Sequence, residues 1–259
     1  MYANFWNHFR DCLLVICVSW ILFQFPRTED ASVPASKTCS RLSYETTLIS
    51  FDPLVIYIKN FTTEAERLHL LELSSTKFRP SEVYNPGENA HLDDKVRDSV
   101  YADIRKDDAV TNCIRERALD FHGRWPGTRI EKSRVQRYEL NGHFTYHYDA
   151  LDDDSAADAS GNRISTFMLY LEDPTAGGGT HFPTLRTDLD RAGICSIVEC
   201  DGDHEGTIFR PSVGNALFWM NLHPNNSMHL GTLHAGTPVR SGIKTIMNLW
   251  LWQKWSNED

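Results

Sequence analysis

The sequence predicts a mainly β protein with flanking helices, and three observations predict it. Short β-rich runs separated by Gly and Asn turn signals fill the chain after Thr128, two amphipathic helical stretches precede them, and the composition is that of a folded chain. Of 259 residues, 41% are hydrophobic and 24% charged, which excludes a disordered polypeptide. The length suits one domain of ordinary size with a short appendage. Lys plus Arg number 26 against 35 Asp plus Glu, a formal charge of -9. Binding a nucleic-acid backbone without sequence preference needs a cationic excess, so nucleic acid is not an expected partner.

Residues 1–27 read as a signal-anchor or a signal peptide. Cys12 to Phe25, CLLVICVSWILFQF, lies between Arg10 and Arg27; it is shorter than the roughly 20 residues of a spanning helix and suits a signal h-region. Val33-Pro34-Ala35 offers a cleavage site, but the gap before it is long and charged, which favours the anchor. The expected location is the endoplasmic reticulum membrane with the folded part in the lumen; secretion after cleavage is the alternative. The sequons Asn60-Phe61-Thr62 and Asn225-Asn226-Ser227 agree with a lumenal chain. Of six cysteines, Cys12 and Cys17 fall in the apolar stretch. Cys195 and Cys200 are close enough to close a small loop, buried free thiols being the other reading.

Residues 28–46 are polar and Ser-rich, a linker. Residues 47–128 form a helical support region that opens with a strand at Val55–Ile58. A helix then starts at Thr62 or Thr63 as N-cap, with acids in its first turn and Leu68, Leu70, Leu71 and Leu73 following. Pro80 to Asp94 is loop. A second helix spans Ala109 to about Phe121, with Val110, Ile114, Ala118 and Phe121 on one face, and Trp125-Pro126-Gly127 ends it. Strands are expected at 128–138, 164–171, 206–211, 215–220 and 244–252, so that 129–255 forms the β core.

His147 and Asp149 stand two apart, on one face if the segment is a strand. With a third ligand from His234 they make two imidazoles and one carboxylate, the facial set of non-haem Fe(II) sites with open positions. Lys244 follows His234 after turn signals, so both can face one pocket, where an ammonium can meet a carboxylate.

These residues carry a resemblance to the prolyl 4-hydroxylases. ValGlnArgTyrGluLeuAsnGlyHisPheThrTyrHisTyrAspAla (135–150) is similar to the family's first metal motif. AsnArgIleSerThrPheMetLeuTyrLeu (162–171) with GlyGlyGlyThrHisPhePro (177–183) resembles its second block. GlyAsnAlaLeuPheTrp (214–219), LeuHisAlaGlyThrProVal (233–239) and GlyIleLysThrIleMetAsnLeuTrp (242–250) resemble the third. The resemblance covers about residues 47 to 255. It implies a double-stranded β-helix (jelly-roll) core that binds Fe(II) through His147, Asp149 and His234. Lys244 would hold the distal carboxylate of 2-oxoglutarate, aided by Thr180 and Tyr138, while Arg163 and Trp250 would face the peptide. Two departures stand out: Gly179 precedes Thr180 where the family has Glu, and Phe144 replaces a frequent Tyr. His143, His181 and His223 lie off the triad pattern.

The implied reaction consumes O2 and 2-oxoglutarate, releases succinate and CO2, and hydroxylates peptidyl proline, with L-ascorbate maintaining the iron. The expected partner is a proline-containing polypeptide, with the membrane as a second contact through the N-terminal segment; a partner subunit is not indicated either way. An oxygenase of the same fold acting on a metabolite or another side chain, and an inactive module that binds proline peptides, are the competing readings.

Overall fold

The computed structural model describes residues 39, 41–84, 89–151 and 161–254. The expected signal or anchor, 1–27, lies outside them, as does most of the 28–46 linker. No helix among the described residues is long and apolar enough to cross a membrane.

Strands β1 (Glu45–Phe51) and β2 (Leu54–Lys59) form a hairpin. Helix α1 (Glu64–Ser75) starts on Thr63, whose hydroxyl accepts the Glu66 N–H at 3.1 Å while the Glu66 carboxylate accepts the Thr63 N–H at 2.9 Å. This capping box satisfies two backbone donors that the helix leaves unpaired. Three short strands follow, β3 (Arg79–Pro80), β4 (Arg97–Asp98) and β5 (Val100–Asp103). Helix α2 (Ala109–His122) is capped by Asp108 and stops at Gly123, whose φ of 89° places it in the left-handed region. The glycine, and not the expected Trp125-Pro126-Gly127, ends the helix.

The β region runs through β6 (Thr128–Ile130), β7 (Arg134–Tyr138), β8 (His143–His147), β9 (Gly161–Glu172), β10 (Ala176–Gly177) and β11 (Thr180–Phe182). It continues with β12 (Thr207–Phe209), β13 (Ala216–Met220), β14 (His234–Gly236), β15 (Val239–Ser241) and β16 (Lys244–Lys254). The run expected at 128–138 is broken between β6 and β7. There Arg115 of α2 donates to the carbonyls of Ile130 and Glu131 at 2.9 and 2.7 Å, while the Glu131 N–H still donates to the Trp250 carbonyl of β16 at 3.0 Å.

A large antiparallel sheet has the order β1-β2-β13-β9-β16-β7-β5-β3, with β6 also on β16, and a smaller one has the order β12-β11-β14-β8-β4. Two facing antiparallel sheets are what a double-stranded β-helix requires. Side-chain alternation decides what each face of the large sheet meets. Phe167, Leu169 and Leu171 of β9 and Met247, Leu249 and Leu251 of β16 pack with Leu70, Ile114 and Ala118 of the helices. The intervening Met168, Tyr170 and Ile246 pack with Phe182 and Phe209 of the small sheet. Each such fully buried side chain contributes about 1.5–3 kcal/mol, so the double-sided burial of β9 and β16 makes them the spine of the fold.

One expectation for the N-terminal part needs correction. β1 begins at Glu45, inside the stretch read as linker, because Glu45 to Phe51 pairs with β2 and extends the large sheet. The 47–128 region carries both α-helices among the described residues, and it also supplies two strands at one edge of that sheet and two at the other. Cys39 is bonded to Cys113 of α2, and Cys195 is bonded to Cys200.

Candidate metal and 2-oxoglutarate site

His147 is the last residue of β8 and His234 the first of β14, and the two are register partners. Asp149 lies beyond the end of β8, not on a strand face as expected; the turn after the strand delivers its carboxylate. His147 Nε2 lies 3.9 Å from Asp149 Oδ1, and His234 Nε2 lies 3.9 Å from Asp149 Oδ2. One ligand atom from each residue falls within 4.8 Å of the others, so the three can share an ion.

The groups behind these side chains fix their roles. His147 Nδ1 donates to the Thr145 carbonyl at 2.8 Å and His234 Nδ1 to the Thr232 carbonyl at 2.9 Å. With the proton held on Nδ1, each Nε2 keeps its lone pair for a metal. Thr166 Oγ1 donates to Asp149 Oδ2 at 2.7 Å and in turn accepts from Asn221 Nδ2 at 3.0 Å, both within the core. Phe144 stacks on the His147 ring, and Phe182 and Trp219 pack on that of His234. Burial, with the His234 ring beside it, lowers His147 to about 3, which keeps it neutral near pH 7. Burial alone would raise the Asp149 carboxyl, but the two imidazoles and Arg163 hold it below the ordinary range and ionised. Two imidazole Nε2 atoms beside one carboxylate fit a divalent first-row metal with open positions.

Lys244 opens β16 opposite Tyr138 of β7, its Nζ 5.5 Å from the centre of the Tyr138 ring. It is 2% exposed, and burial lowers its pKa to about 7, opposed by the charge of Asp173. None of the ion pairs among the described residues includes it. An amine that is buried and unpaired calls for an anion. The alternation of β16 puts Lys244, Ile246, Asn248 and Trp250 on the face toward the small sheet. With Tyr138, Thr180, Met168, Trp219 and Phe144 they line a cleft of about 380 Å³ that also holds His147, Asp149 and His234.

The remaining expected residues are all at this cleft. Thr180 is buried, its hydroxyl 3.8 Å from Met168 Sδ. Burial raises the pKa of Tyr138, whose protonated hydroxyl donates to Gln136 Oε1 at 2.9 Å. Arg163 is clamped by Glu131 at 2.8 and 3.0 Å, donates to the Asp149 carbonyl at 3.2 Å, and lies 4.4 Å over the Trp250 ring. The Gly177-Gly178-Gly179 departure has a steric reason. A Cβ at Gly179 would sit 2.4 Å from Ile208 Cγ2, and Gly178 has a φ of +69°.

Sequence reasoning missed Thr166, Asn221 and Arg97. Arg97 of β4 lines the cleft with its guanidinium 4.4 Å over the Phe144 ring. No spacing rule flags any of them, because each acts across strands far apart in sequence. His143 and His181 bond to carbonyls or to Tyr146 away from the triad. His223 joins a second cluster with Asp52 and His229.

A family model described as the 2OG-Fe(II) oxygenase superfamily matches residues 133–252. Prolyl 4-hydroxylase 5 of Arabidopsis thaliana is 30% identical over 204 residues, 78% of this chain and 69% of that protein. Prolyl 4-hydroxylase subunit alpha-2 of Caenorhabditis elegans is 31% identical over 214 residues; the match takes in 80% of this chain but only 35% of that subunit. The 2OG complex of the viral collagen prolyl hydroxylase from Paramecium Bursaria Chlorella virus-1 superposes with a TM-score of 0.57 at 25% identity, covering 83% of this chain and 99% of the viral one. The jelly-roll core, the His-Asp-His cluster and these likenesses converge: the chain belongs to the prolyl 4-hydroxylase family and is a 2-oxoglutarate- and Fe(II)-dependent dioxygenase.

Proposed function

We propose that this dioxygenase hydroxylates proline residues of polypeptides, with His147, Asp149 and His234 holding the iron and Lys244 the cosubstrate. The observation that carries the reading is a buried amine with no ion-pair partner among the described residues, in the same cleft as two Nε2 lone pairs and a carboxylate. Bound Fe(II) supplies the oxidising chemistry that, with O2 and 2-oxoglutarate, inserts one oxygen atom into a C–H bond and yields succinate and CO2. The chain's own residues bind, orient and exclude water. Lys244, protonated, receives the distal carboxylate of 2-oxoglutarate through a charge-assisted bond in a low-dielectric pocket. Thr180 and Tyr138 offer hydroxyl groups on the same side. The Asn221–Thr166–Asp149 chain fixes the carboxylate that faces the metal. Arg163, held by Glu131, and Trp250 form the wall assigned to the peptide.

The names of the relatives support proline in a polypeptide as the substrate. Ascorbate is proposed as the reductant that maintains the iron. The proposed location is the endoplasmic reticulum lumen, anchored through residues 1–27. The apolar stretch at 12–25, the two sequons and two paired sets of cysteines support it, since disulfides persist in oxidising compartments. Protease should therefore spare the folded part in sealed microsomes.

The deciding experiment incubates the protein with Fe(II), 2-oxoglutarate and a panel of proline peptides and reads products by mass spectrometry. A gain of one oxygen on a prolyl residue, matched by succinate, is the expected result. Succinate without peptide modification, or oxygen on a free metabolite, would overturn the substrate assignment and leave the reaction class intact.

A further inference from the structure

The sequence shows no run of positive charge, yet the sheet assembles one beside the cleft. Arg79 on β3, Asp103 on β5 and Arg134 on β7 come from three adjacent strands, with Asp103 and Arg134 in register. Asp103 is shared by three cations: Arg79 at 2.9 Å, Lys132 at 3.0 Å and Arg134 at 3.1 Å. One carboxylate cannot neutralise three cations. Arg79 and Arg134 also lie over the Tyr101 ring, at 4.5 and 4.0 Å, which braces both guanidinium groups.

Arg134 lines the cleft, and so does Arg97, which forms no ion pair among the described residues. Glu82 is the other carboxylate on this wall, and it faces Arg79. Arg79, Lys132 and Arg134 thus meet two carboxylates, Asp103 and Glu82, while Arg97 lies within the field of Asp149, on a chain whose net charge is -9. The side chains of Arg79 and Lys132 are 59% and 56% exposed, open to a ligand that extends beyond the cleft. The cleft's other charges have their roles: Arg163 pairs with Glu131, Asp149 sits with its histidines, and Lys244 is the residue proposed above for the cosubstrate.

We infer that Arg79, Lys132 and Arg134 form a subsite for acidic residues flanking the proline that enters the cleft, so that the preferred substrate is an acidic proline-containing polypeptide. The inference rests on the peptidyl-proline reading above. Long-range attraction between this wall and an anionic segment raises encounter and selects against cationic flanks, where like charges meet. Arg134 reaches the cleft, and Arg79 and Lys132 prolong the positive surface outward from it.

The test uses the full chain, loaded with Fe(II) and 2-oxoglutarate, and two proline peptides of equal length, one flanked by Glu and one by Lys. Binding is read by anisotropy and hydroxylation by mass spectrometry. At low salt the Glu peptide should bind roughly fivefold to tenfold tighter, a preference that collapses at about 0.5 M salt. Arg79→Gln with Lys132→Gln, which removes both charges and keeps polar side chains, should remove most of the preference, while succinate formation without peptide stays at the wild-type rate. Arg79→Glu should push the preference toward the Lys peptide. Equal binding of both peptides, or a preference that the double variant leaves intact, would overturn the subsite even with both peptides hydroxylated. Tighter binding of the Glu peptide, lost in the double variant, with neither peptide hydroxylated, would support an acidic docking surface and overturn the peptidyl-proline reading instead.

Discussion

His147, Asp149 and His234 have the same composition as Asp52, His223 and His229, and both trios bring their ligand atoms within 4.8 Å. The hydrogen bonds behind the rings separate them. In the first cluster both Nδ1 atoms donate to backbone carbonyls, so both Nε2 atoms present lone pairs to one point. In the second, His229 Nδ1 accepts the Gly231 N–H at 3.1 Å, which leaves the ring proton on Nε2, where it is donated to Asp52 Oδ1 at 2.7 Å. A ring with its proton on the atom that faces the carboxylate is a hydrogen-bond donor and not a metal ligand. The carboxylates differ as well: Asp149 is buried and oriented by Thr166, whereas the Asp52 side chain is 84% exposed. His223 stacks on His229, and the trio ties the β1–β2 turn to the segment before β14. Composition nominates a metal site; the partner of the second ring nitrogen decides it.

The largest effect should come from breaking the first cluster. His234→Ala or His147→Ala should lose bound iron and turnover at every 2-oxoglutarate concentration, because added cosubstrate cannot replace a ligand. Metal analysis of the purified variant, beside a circular-dichroism check of folding, reads this directly. Iron retained at wild-type stoichiometry in His234→Ala would move the metal elsewhere, and the second cluster would become the first place to look.

A smaller effect, of a different kind, is expected at Lys244. Removing one partner of a buried charge pair costs several kcal/mol, so Lys244→Ala should raise the apparent KM for 2-oxoglutarate on the order of 30-fold or more while iron still binds. The pH dependence carries its own sign. Burial lowers the free Lys244 to about 7, and only the ammonium attracts the carboxylate. Below pH 7 the amine is already charged and binding takes up no proton. Above it each binding event must protonate the amine, and apparent affinity falls as pH rises. Anaerobic calorimetry at pH 8 in two buffers of different ionisation enthalpy should show uptake approaching one proton per ligand, absent in Lys244→Ala. No uptake in the wild type would mean that the bound anion meets another cation.

The sequence carried the strand and helix content and the four principal site residues because those depend on local pattern. Period-two alternation, a Thr-x-x-Glu cap and short motifs such as His147-x-Asp149 are properties of neighbours. What it concealed depends on distant pairing. β1 was hidden because Glu45-Thr46-Thr47 is polar, and only partnership with β2 makes it a strand. Thr166 reads as one more β-branched residue in the 162–171 run; its part in the site exists because β9 passes under the turn that carries Asp149. The positive wall was invisible for the same reason, since Arg79 and Lys132 meet only through Asp103. The pairing of Cys39 with Cys113 spans 74 residues and leaves no local trace.

The finest distinction between the clusters lies in the residues that support them. Thr166→Val keeps the shape and burial of the side chain but removes the hydrogen bond that orients Asp149, and it leaves Asn221 Nδ2 without its acceptor. Groups that orient a ligand are worth about 10–100-fold in metal affinity or activity, so iron should bind roughly tenfold more weakly, with Thr166→Ser restoring it. His229→Ala removes a whole imidazole from the second cluster, a larger chemical change, yet iron affinity and turnover should stay at wild-type values and only thermal stability should slip. The Asp52 carboxyl is held below its ordinary value by the His229 hydrogen bond, so its contribution is present above the unfolded value near 3.8 and is lost as pH falls through the lower folded value. Wild type and His229→Ala should therefore differ in melting temperature at pH 6 and converge toward pH 3. Competition titration with a chelator reads the metal arm and thermal melts read the other. If His229→Ala weakened iron and Thr166→Val did not, the hydrogen-bond criterion that separates the two clusters would be wrong.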